Sequence, residues 1–170
     1  MSQAEKPDIG YLAIHETAHA VVGMLLGAPV EAVTIISDMD AGSDGHAITV
    51  HGCPLSHLGS ENWALMTRAI GSYAGHMATL KLGHDESFED AGAADDYYNA
   101  AGCLTSIFGS GDVSPLFDRV ILATKLIVDM CWGSIELVAD ELQEKKTLTG
   151  EEVESLLKEC YGNEPPSWAA

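Results

Sequence analysis

Apolar residues recur mainly at intervals of three and four along this chain, with one β-branched run early on. Ile14, Ala18, Val21, Val22 and Leu25 fall at helical spacing and predict an amphipathic, core-packed helix over residues 9–26. Asp8 reads as its N-cap, and Gly27 followed by Pro29 as its stop signal. Residues 30–36 read as a strand and residues 46–50 as a returning strand, which together predict a hairpin. Helical spacing resumes over 60–82 and again over 92–108. Gly71 and Gly75, four apart, would leave a smooth face for close helix packing. Ser114 and Pro115 suit an N-cap and first turn, opening a long helix towards Lys145. Thr149 with Glu152 makes a capping box for a last short helix ending near Tyr161. The expected fold class is mainly α (α+β), with a small β-hairpin after the first helix.

Domain organisation follows from the same pattern. One domain over residues 9–162 is flanked by a polar tail, 1–8, and a tail with Pro165-Pro166, 163–170. The chain's 170 residues are enough for a sizeable core. Residues 83–91 read as an acidic linker. The loop 37–45 carries Asp38, Asp40 and Asp44 and faintly suggests a calcium loop. It fails that pattern, with Gly42 at a ligand position and Thr49 at the closing Glu position, and is read as a hairpin loop.

Charge narrows the partners. Eight Lys+Arg against 26 Asp+Glu give a net charge of -18, a field that repels nucleic acid and anionic membrane surfaces. The four cysteines, at 53, 103, 131 and 160, form no C-x-x-C pair. Buried free thiols in a reducing compartment are expected. The apolar stretch 120–132 is interrupted by Lys125 and Asp129 and reads as a core helix. No signal core appears in the first residues, and a cytoplasmic location is expected.

The chemistry is concentrated in His15-Glu16-Thr17-Ala18-His19, which spells H-E-x-x-H. Residues four apart share a helix face, so His15 and His19 can direct two imidazoles at one ion. Glu16 then projects beside that ion, where it can deprotonate a water. Two histidines and a glutamate on a core-packed helix need a reason, because unpaired buried polar groups are costly. A Zn2+ site provides one, and metal-assisted hydrolysis is the expected reaction class. A catalytic zinc usually takes three protein ligands. Spacing leaves the third open among Glu61, His76, His84, Glu89, Asp90, Asp95 and Asp96.

The segment from His15 to Gly23, followed by Val33-Thr34-Ile35-Ile36, resembles the start of the peptidase domain of FtsH-type ATP-dependent zinc metalloproteases. Gly92-Ala93-Ala94-Asp95-Asp96 is similar to that family's G-A-x-x-D segment, and residues 147–152 resemble its closing capped helix. These blocks keep the family's order over most of residues 9–160. The resemblance implies that Asp96 is the third metal ligand, with His15 and His19, and that Glu16 is the general base. It implies a zinc metalloendopeptidase acting on peptide or unfolded polypeptide substrates.

The chain also departs from the family. An ATPase module and a membrane anchor have no counterpart in these residues, so a standalone domain is expected, with a separate unfoldase or a homo-oligomer as partner. Where the family usually shows G-G-R-A-A-E-E, this chain has Gly71-Ser72-Tyr73-Ala74-Gly75-His76-Met77. Residues 33–36 are expected to offer an edge for an extended substrate. His46, His51, His57, His76 and Tyr73 are candidates for oxyanion stabilisation. The competing reading is a non-catalytic metal-binding interaction module. A zinc hydrolase of non-peptide amides is a third, which pocket shape alone would separate from a peptidase.

Overall fold

Helix α1 (Ile9–Leu25) forms the centre of the computed structural model, which describes residues 9–36, 46–49, 61–83, 91–109 and 111–162. Every residue from Ala13 to Ala18 is buried. Six consecutive residues cover every side of a helix, so α1 is enclosed rather than one-sided. The helix stops because Gly27 takes φ 86°, which lets the Ala28 N–H reach the Gly23 carbonyl at 2.8 Å. Such a left-handed terminus suits glycine.

Three short strands flank α1: β1 (Val30–Thr34), β2 (His46–Thr49) and β3 (Thr147–Thr149). They form an antiparallel sheet in the order β2-β1-β3. The expected hairpin is present as β1 and β2. The third strand was not foreseen, and it overturns the expectation of a free edge at residues 33–36. Val33 faces Ala47 on one side and Leu148 on the other, and the Ile35 N–H donates to the Lys146 carbonyl at 3.0 Å. Among the described residues, the sheet's free edges are the outer sides of β2 and β3.

The remaining helices are α2 (Glu61–Ser72), α3 (Ala74–Lys81), α4 (Ala91–Phe108), α5 (Ser114–Met130), α6 (Trp132–Lys145) and α7 (Gly150–Tyr161). Two spans read as single helices are each broken in two. The first break is at Tyr73 (φ -96°, ψ 0°), whose N–H is shared between the Ala69 and Ile70 carbonyls. The second is at Cys131 (φ -105°, ψ 15°). It redirects the chain so that α5 packs on α3 while α6 packs on α1.

The helix ends are locally encoded. Pro115 does occupy the first turn of α5, but Val113 holds the cap position, and Asp112 Oδ1 accepts the Ser114 N–H at 3.0 Å. At α7 the capping box forms as expected: Thr149 Oγ1 accepts the Glu152 N–H, and Glu152 Oε2 accepts the Thr149 N–H at 2.9 Å. Leu104, Ile135, Leu142, Leu148, Val21 and Val33 anchor the core around α1. Cys103 and Cys131 are buried and free; Cys160 is free but exposed, against expectation. No helix among the described residues is long and apolar enough to cross a membrane. The Asp8 cap, the 37–45 loop, Cys53, most of the acidic linker and the 163–170 tail lie outside the described residues.

Candidate metal centre

One helical turn separates His15 from His19 on α1, and their Nε2 atoms stand 3.2 Å apart. Nδ1 of His19 lies 2.8 Å from the Gly71 carbonyl at the end of α2. A carbonyl only accepts, so the Nδ1–H donates, and the Nε2 side of the ring is left facing His15. Tyr11, one turn earlier, lies roughly parallel to the His15 ring, with centroids 6.4 Å apart.

Asp96 reaches this pair from α4. Its Oδ1 is 3.2 Å from His19 Nε2, and its Oδ2 is 3.6 Å from His15 Nε2. The His76 backbone N–H in the first turn of α3 donates to Oδ2 at 3.1 Å. His15 and Asp96 are buried, and His19 is partly buried. Two imidazole nitrogens and a carboxylate oxygen thus converge in a shielded space, with an outer contact fixing one imidazole and another fixing the carboxylate. That donor set could hold a metal ion.

Glu16 lies beside the group and is also buried. Burial raises its pKa to about 7; His19 and the Ala47 backbone N–H, which donates to the carboxylate, oppose the rise, and Asp96 adds to it. For His19, burial favours the neutral ring, but the Asp96 and Glu16 carboxylates and the Gly71 carbonyl together outweigh it and raise the pKa to about 9. Without an ion, His19 therefore carries a proton at neutral pH that an ion would displace.

The other sequence candidates separate cleanly. Asp95 and Glu61 are exposed, and neither belongs to the converging group. His76 contributes its backbone N–H; its ring packs on Tyr73, which in turn meets Phe117 edge-on. This ring cluster belongs to the core. His84, Glu89, Asp90, His51 and His57 lie outside the described residues, as does the His46 side chain. Sequence reasoning missed the Gly71 carbonyl and the amides of His76 and Ala47. Only the spacing of Gly71 and Gly75 hinted that α2 and α3 come close to α1. Neither a protein-family model nor a curated protein matches this sequence.

Proposed function

We propose that this chain is a zinc-dependent metallopeptidase related to the FtsH-type peptidase domain, hydrolysing peptide bonds of short or unfolded polypeptides. The observation that carries the reading is the convergence of His15, His19 and Asp96 next to a buried Glu16 whose pKa is about 7. His15, His19 and Asp96 would hold the zinc ion, which would supply Lewis acidity for a scissile carbonyl and a water. Glu16, with its carboxylate held by the Ala47 N–H, takes the proton of the attacking water. It then returns that proton to the leaving amine. A pKa near neutrality suits both transfers. Asp96 stays in position through the His76 N–H, and His19 through the Gly71 carbonyl.

The outer side of β2 lies on the strand that contacts Glu16, which supports an extended substrate docking there by strand addition. A folded domain rarely offers such a strand. No G-x-x-x-x-G-K-[ST] phosphate-binding motif occurs in the 170 residues. Folded proteins would therefore have to be unfolded before they could pair with this strand, a task for an unfoldase or an oligomeric assembly. The charge of -18 supports substrates other than nucleic acid, and the buried free thiols of Cys103 and Cys131 support a cytoplasmic setting.

The test is incubation of the zinc-loaded protein, without nucleotide, with an unstructured casein-like substrate and a stable folded control. Cutting of the first and sparing of the second is expected. Full zinc loading with inertness towards every flexible substrate would instead identify a non-catalytic metal-binding module.

A further inference from the structure

Gly75 lies in the first turn of α3 and is buried. A Cβ built on it would lie 2.7 Å from His15 Nε2 and 2.8 Å from His15 Cε1, and closer still to His19 Nε2. No ordinary carbon contact is that short, so a methyl group here would displace an imidazole or occupy the space that both nitrogens face. Gly71, one turn earlier, is different: its added Cβ would meet Gly23 Cα at 3.9 Å, an ordinary contact. Glycine also weakens a helix interior relative to alanine. The adjacent His76 N–H and Gly71 carbonyl hold Asp96 and His19 from this same stretch of chain. Thus the backbone that fixes two donors also approaches the two nitrogens at Gly75, where no side chain intervenes.

We infer that Gly75 is a positioning residue for the metal: its missing side chain leaves the space between His15 Nε2 and His19 Nε2 in which the ion sits, with the α3 backbone as the wall of that space. The inference rests on the metal-site reading above and adds a steric requirement to it. Gly75 stands where the resembled G-G-R-A-A-E-E pattern has alanine, so the requirement belongs to the placement of α3 in this chain.

The experiment measures Co2+ and Zn2+ affinity by titration calorimetry and by the visible absorption of bound Co2+, on the wild type, Gly75→Ala and the control Gly102→Ala. Absence of binding by the wild type would sink the metal-site reading itself. With a wild type that binds, Gly75→Ala is expected to lose at least about 100-fold in affinity, while Gly102→Ala, an exposed α4 position with open space around an added Cβ, stays within about 3-fold. Gly75→Ala binding as tightly as wild type would overturn the inference and leave the metal site standing. A second measurement does not depend on the variant folding. In Co2+-loaded wild type, the Gly75 Hα resonances should be shifted or broadened far more than those of Gly71. Unperturbed Gly75 signals alongside bound Co2+ would overturn the inference equally.

Discussion

Asp96 is tied to His76 by a backbone hydrogen bond: the His76 N–H donates to Oδ2 at 3.1 Å, while Oδ1 stands 3.2 Å from His19 Nε2. The break at Tyr73 makes this arrangement available. A continuous helix would have spent the His76 N–H on the carbonyl four residues earlier, whereas in a new first turn it can donate to Asp96. A carboxylate is a favourable neighbour for that turn, by hydrogen bonding and by the helix dipole. One side chain therefore serves both the start of α3 and the candidate metal site.

Replacement of Asp96 should accordingly have two effects. Asp96→Ala is expected to abolish tight zinc binding and, in the metal-free protein, to cost about 1–3 kcal/mol by removing a buried hydrogen bond to a charged group. Asp95→Ala, on the exposed side of α4, should change neither by much. Zinc content after dialysis and urea unfolding of both variants check this. Retained zinc in Asp96→Ala with loss in Asp95→Ala would refute the ligand assignment.

Glu16→Gln should keep fold and zinc while reducing peptide turnover by at least about 100-fold, since glutamine cannot accept the proton. Metal analysis with single-substrate kinetics decides it. A metal-loaded variant with wild-type turnover would remove Glu16 as the base.

Stability of the metal-free protein should fall as pH rises. Glu16 (about 7) and His19 (about 9) both have raised pKa values, so the folded state binds more protons than the unfolded one. The Glu16 contribution is fully present below about 4.5 and is lost through about 7. That of His19 is fully present below about 6.5 and is lost through about 9. Urea unfolding in chelator between pH 5 and 9.5 should show a decline on the order of a few kcal/mol. His19→Gln should flatten the part above pH 7; an unchanged slope in that variant would contradict the assignment.

Two neighbouring substitutions should differ sharply at the β3–α7 junction. A Cβ on Gly150 would overlap the Val30 carbonyl oxygen of β1, which is backbone and cannot swing aside. Gly150→Ala is expected to cost about 2–3 kcal/mol or more through forced separation of α7 from the sheet. Thr149→Ala removes only the cap and should cost about 1 kcal/mol. Equilibrium denaturation of the two measures the contrast, and equal losses would show that α7 yields without strain.

The sequence carried some of these features plainly and hid others for physical reasons. The α1 core positions, the Gly27 stop and the Thr149–Glu152 box depend on local side chains, and local side chains are what a sequence displays. The breaks at Tyr73 and Cys131 have no proline or glycine at the break itself; tertiary packing on α1 and α5 sets them. Strand β3 has three residues, too few to show alternation. Asp95 and Asp96 are the same residue type, and spacing could not choose between them; the resemblance pointed to Asp96, and the geometry brings Asp96 to the histidines. Amides and carbonyls such as those of Ala47, His76 and Gly71 belong to every residue and leave no trace in composition.

The two histidines belong to the first helix, whereas Asp96 arrives on α4, which packs chiefly against α2. A bound ion would tie together points about 80 residues apart in the chain. Closing so long a loop removes much of the freedom of the unfolded polypeptide. The metal would then act as a removable cross-link, and its concentration would set how firmly the two ends of the site are held together.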